Sequence, residues 1–281
     1  MSVFNRCMND LQGLQAQLFE KIEPEKRILA GETVRVLTHY QFDRSAAAYT
    51  LITYRMVWDA EIIVRTIYET SMKVLFIGAH NPPFRDELMR EFWEILPAIF
   101  DRKGAAKAEE AEKLRRRFNG NEDDIRIFRN LRNPDIFKTE PLNNKRFRDT
   151  TESRWSFTEI VKELKKKSDA HIQINGLDSL NHMYGVASHL AHASPKALDL
   201  MDDRATRGDD LAALEAGHIC RLLSDIVTMA AFGIRYSQRV IDGTQGLANQ
   251  LSELILTMID STKDIQQEFA RSQDNYYSKY K

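Results

Sequence analysis

Two groups of residues in this 281-residue sequence have the types and spacing for acid–base or phosphate chemistry. The first is Arg65 and Glu69, one helical turn apart in a stretch that also carries Trp58, Ile62 and Phe76. A charged pair among such neighbours is expected to be partly buried, and buried charges must be paired or used. The same residues also fit a plain intrahelical ladder, Glu61–Arg65–Glu69–Lys73, in steps of four. Such a ladder is worth only a few tenths of a kcal/mol per pair.

The second group lies over residues 178–193. At 100° per residue Asn181, Tyr184, Ser188 and His192 share one helix face, flanked by His182 and His189. Leu180, Met183, Val186, Ala187, Leu190 and Ala191 occupy the other side, and Gly185, Ala187 and Ala191 allow close helix approach. The polar face from 181 to 192 has no Lys, Arg, Asp or Glu. Solvated faces are usually charged, so this composition points to an internal network or an interface. Three readings of it stay open. His192 can act as an acid–base group with Arg65 or Glu69 as partner, His189 and His192 with Glu69 can share a metal ion, or the histidines are simply hydrogen-bonded inside a bundle. No His-Glu-x-x-His pattern supports the metal reading, and no resident metal or cofactor is expected.

These residues must be positioned by helices. Gly (12) and Pro (7) are scarce, near 4% and 2% of the chain, below the usual ~7% and ~5%. The chain is expected to be all-α, a helical bundle built around a long central apolar helix (about 44–79) and the His-bearing helix (about 177–193). An N-terminal helical segment is expected over 1–43 and a main bundle over 44–240 with a basic insertion at about 102–154. A C-terminal helix and tail cover 241–281. Smaller expectations are a short helix over 84–101 with a kink or an early end at Pro97, an exposed helix over 105–118, and a long loop over 133–153. Ser156 and Glu159 form a capping-box signature for the helix that follows.

Charge is unevenly placed although the net charge is only −1. Residues 102–167 hold 19 basic and 12 acidic residues. This segment includes Arg115, Arg116, Arg117, Arg129 and Arg132, candidates for binding nucleic-acid phosphates. The alternative is an exposed helix docked against acidic neighbours. Gly-rich phosphate loops, Gly-x-Ser-x-Gly and calcium-loop spacing are absent, the Asp-rich 199–210 stretch included. Cys7 and Cys220 stand among apolar residues without CxxC, which suits reduced thiols and a cytoplasmic setting. The apolar stretch 219–236 carries Arg221, Asp225 and Arg235, and is expected to be a buried helix rather than a membrane span.

Taken in order, Arg65-x-x-x-Glu69, Trp155 opening a short helix, and Tyr184-x-x-x-Ser188-x-x-x-His192 followed by Ser194 resemble a family of bacterial and archaeal all-helical proteins catalogued as a domain of unknown function. The resemblance spans about residues 44–240 and implies a helical bundle and a dimer or protein partner. A more remote resemblance is to helical nucleotide-binding and RNase modules, the HEPN proteins of toxin–antitoxin and antiviral systems. It implies an RNA-directed effector with His192 as the reactive histidine. The arginine such modules carry upstream on that helix is missing here, and Arg35-x-x-x-His39 is one residue too tight. Arg65 would have to supply the guanidinium from another helix. The alternative is a non-catalytic interaction or oligomerisation module.

Overall fold

A computed structural model describes residues 2–20, 29–118, 120–130, 141–166, 177–244 and 246–278. Every regular element among them is helical, so the chain is all-α. It divides into two compact units, Met1–Asn81 with Ile160–Lys281, and Pro82–Glu159.

The first unit is built on three helices, α2 (Leu29–Thr53), α3 (Val57–Ala79) and α11 (Leu211–Ile241), which pack on one another. The apolar residues of α3 lie on most of its sides, and Val64, Ile67, Met72, Leu75 and Phe76 are all fully buried. That is the signature of a central helix. Leu222, Ile226 and Ile234 of α11 are equally buried against it. Helices α1 (Ser2–Glu20) and α12 (Ala248–Ser278) pack on α11, while α9 (Leu177–Ala191) packs on α3 and α10 (Pro195–Thr206) on α9. One window of α11 is long and apolar enough to cross a membrane, and 61% of it is buried inside the fold.

Close approach of α11 and α12 depends on Gly217. A Cβ at that position would stand 2.3 Å from Cγ of Phe269. Gly217→Ala is therefore expected to force the helices apart and cost about 1–3 kcal/mol. Urea unfolding checks this, and an unchanged midpoint would show that Phe269 can swing aside.

The expected single helix over 44–79 is two helices. Backbone N–H groups of Arg55 and Met56 donate to the carbonyls of Ile52 and Leu51, and Arg55 takes a left-handed conformation with φ of 59°. This is a Schellman end to α2, with an arginine where glycine is usual. It turns the chain into α3 without any Gly or Pro to announce it.

The second unit contains α4 (Phe84–Arg90), a π-helical turn (Glu91–Ile95), α5 (Leu96–Arg117), α6 (Glu122–Asn130) and α7 (Lys145–Arg154). In place of the kink or early end expected at Pro97 there is a π turn just before it. Leu96 N–H reaches the carbonyl of Glu91, five residues back, and the helix then runs unbroken through the residues expected to start a separate helix at 105. Part of the expected loop over 133–153 is α7, capped by Asn144, whose Oδ1 accepts the Phe147 N–H at 3.2 Å. Residues 131–140 lie outside the described residues. Leu88, Met89, Ile99 and Ile125 form this unit's small core. Trp155 is buried beside Phe92, its Nε1–H donating to Glu91 at 3.0 Å. The chain returns to the first unit within α8 (Phe157–Lys166), where the Glu159 N–H donates to Ser156 Oγ at 3.4 Å, half of the expected capping box.

Candidate functional site

Helices α3 and α9 bring Arg65, Glu69 and Tyr184 together. The Arg65–Glu69 pair closes at 3.3 Å within α3. Across from it, the Tyr184 hydroxyl donates to Glu69 Oε1 at 2.9 Å and accepts from Arg65 Nη2 at 3.2 Å. The guanidinium also lies over the phenol ring, 5.1 Å from its centroid. Burial pushes the Tyr184 hydroxyl above its ordinary pKa; Glu69 adds to this and Arg65 opposes it. Tyr184 is thus a neutral donor that locks two charged side chains in place, not a base. Arg65 Nε is buried and unpartnered, while Nη1 keeps access to solvent and has no hydrogen bond among the described residues.

Ser188 and His192 are further along α9, about 6 and 12 Å beyond Tyr184 at 1.5 Å per residue. Ser188 is half-buried, and its hydroxyl has no hydrogen bond among the described residues. His192 stands at the C-cap. Ala193 has φ of 45°, and Ser194 N–H bonds back to the His189 carbonyl. The His192 ring is exposed and shares no hydrogen bond or ring contact with Arg65 or Glu69 among the described residues. His189 Nδ1 lies 3.0 Å from Ser194 Oγ, which also caps α10 by accepting the Ala197 N–H. Among the described residues no three His, Cys, Asp or Glu side chains gather as a metal site requires, so the metal option through His189, His192 and Glu69 falls.

The Glu61–Lys73 ladder is not what forms. Only its Arg65–Glu69 rung is closed, and Glu61 turns instead to Arg221 on α11. Glu61 is fully buried. The same guanidinium donates to Asp225 at 2.9 Å, and Tyr68, also fully buried, donates to Asp225 Oδ2 at 2.6 Å. Burial pushes the Glu61 and Asp225 carboxyls up, and the Arg221 guanidinium opposes that rise in both. This four-residue group was not singled out from the sequence. Its one signal was Arg221 and Asp225, two of the charges in the apolar stretch 219–236.

Beside it sits His218, half-buried between the rings of Trp58 (5.2 Å) and Phe269 (5.8 Å). Burial, reinforced by Arg221, Arg204 and Arg207, lowers its pKa from 6.5 to about 4.

The basic candidates lie in the second unit. Arg116 pairs with Glu112 at 3.0 Å and with Glu122 at 3.7 Å, and Arg129 reaches the same two carboxylates. Arg115 and Arg117 are exposed in the last turn of α5, with no ion pair among the described residues. Arg132 lies outside the described residues.

A family model described as a family of unknown function, DUF5677, matches residues 35–208. The chain belongs to this family. No curated protein and no solved structure matches it. The DUF5677 span takes in α3 and α9, and so all of Arg65, Glu69, Tyr184, Ser188 and His192. It ends before α11, leaving Arg221, Asp225 and His218 outside.

Proposed function

We propose that this DUF5677 protein is a helical effector that acts on a phosphate-bearing polymer, RNA foremost, at the α3/α9 site. The observation that carries the reading is the state of Arg65. Its guanidinium is held from two sides by Glu69 and Tyr184, yet keeps an accessible Nη1 without a partner. A cation aimed in advance with donors to spare suits an incoming phosphate oxygen. His192, exposed at the C-terminal end of α9, serves as the acid–base group. In this reading Arg65, held by Tyr184, takes one phosphate of a strand, and His192, about 12 Å further along the helix axis than Tyr184, acts at another. Arg115 and Arg117, on the second unit, offer a separate, non-specific phosphate contact. A defence or toxin-type setting is the one the helical-RNase resemblance implies.

The test is incubation of the purified protein with total RNA, with His192→Ala and Arg65→Ala as controls. Cleavage should fall about a hundredfold or more in His192→Ala. Binding should weaken in Arg65→Ala and decline as salt rises. RNA left intact by the wild type, with no salt-sensitive binding, would remove this reading.

A second reading, a non-catalytic association module, is favoured by the exposed Asn181, His182, His189 and His192, a stretch with no Lys, Arg, Asp or Glu. Under it, the native mass depends on concentration, and the RNA experiment gives nothing.

A further inference from the structure

The buried ion group opens on a cleft between α11 and α12 that the α3/α9 site does not use. Its volume is about 460 Å³, within the range of small-molecule sites. Arg221, Asp225, Ile259, Lys263, Gln267 and Ala270 are among its walls.

The charges around this cleft are incompletely matched. One guanidinium, Arg221, serves two carboxyl groups, Glu61 and Asp225. Asp225 Oδ2 takes both the Tyr68 hydroxyl and the Arg221 guanidinium. Asp225 Oδ1 is accessible and has no hydrogen bond among the described residues. On the facing helix the exposed Lys263 ammonium has no carboxylate partner among the described residues. Gln266 is committed, its Nε2 donating to the Gly217 carbonyl at 2.9 Å, whereas the Gln267 amide is free to turn inward. Ile259, 46% exposed, and Ala270 supply an apolar wall.

A bare amine entering this cleft would meet Lys263, and a bare carboxylate would meet Asp225. A molecule carrying both groups satisfies both. We propose that the cleft binds a small zwitterion of the α-amino-acid class. Its ammonium lies on Asp225 Oδ1, its carboxylate on Lys263 and Gln267, and its aliphatic body along Ile259 and Ala270. An ammonium on Asp225 also brings a second cation to a group in which one guanidinium serves two carboxyls.

Titration calorimetry on the full chain tests this with the free amino acids, and with n-butylamine and butyrate as single-charge controls. At least one aliphatic amino acid is expected to bind, with neither control binding comparably. Lys263→Met lies at the exposed edge of the cleft. It should weaken that binding about ten- to hundredfold, the worth of a charge-assisted hydrogen bond, without moving the unfolding midpoint of the free protein. Ala270→Trp, which fills the cleft, should abolish it. Three results would each overturn the proposal: no amino acid binding at millimolar concentration, either single-charge control binding as tightly, or Lys263→Met leaving the affinity unchanged.

Discussion

Arg221→Met is expected to lower folding stability by about 3–5 kcal/mol, the cost of stranding a buried charge. Glu61 is fully buried, and its Oε1 already lacks a partner. Removing Arg221 leaves that carboxylate with no cation, and leaves Asp225 with only the Tyr68 hydroxyl. Protonation of Glu61 would recover part of the loss. The diagnostic comparison is the double variant Glu61→Met with Arg221→Met, which exchanges the buried pair for apolar side chains. It should be more stable than Arg221→Met alone, because breaking a pair costs more than replacing it. Urea midpoints at unchanged slope measure both variants. A loss under about 1 kcal/mol for Arg221→Met would mean that water reaches Glu61 and screens it.

Acid should destabilise the protein through His218. Its folded pKa is about 4, against 6.5 for the free side chain. Between those values the unfolded chain binds a proton that the folded chain refuses, so stability falls as pH drops through this window. At 1.36 kcal/mol per pKa unit the full effect is about 3 kcal/mol. The cause is mainly burial between Trp58 and Phe269, with Arg221, Arg204 and Arg207 adding repulsion. Glu61 and Asp225 work the other way, since carboxyls with raised folded pKa values take up protons more readily in the folded state. The contribution of His218 is isolated by comparison with His218→Gln. Between pH 7 and pH 4 the wild type should lose about 3 kcal/mol more than the variant. Equal losses would show that the ring is solvated.

Much of this molecule was legible in local pattern. The all-α class followed from scarce Gly and Pro and from helical spacing. Arg65, Glu69 and Tyr184 were legible as candidates because a charged pair and an uncharged polar face are unusual where they stand. The break at Tyr54–Met56 was not legible. Its stop signal is a left-handed Arg55, and no Gly or Pro marks it. The π turn before Pro97 was equally hidden, because proline announces a disturbance without naming its form.

The partner of Glu61 marks the division most sharply. By spacing alone Arg65 lies in reach of both Glu61 and Glu69, and the ladder treats them alike. Only the packing of α3 on α11 decides that Arg65 closes on Glu69 while Glu61 takes Arg221, 160 residues away. Spacing along one helix is a local property and is written in the chain. Which buried charge meets which is decided by the helices that cross over it, because the low-dielectric interior makes each such charge find a partner from whatever element the fold brings alongside.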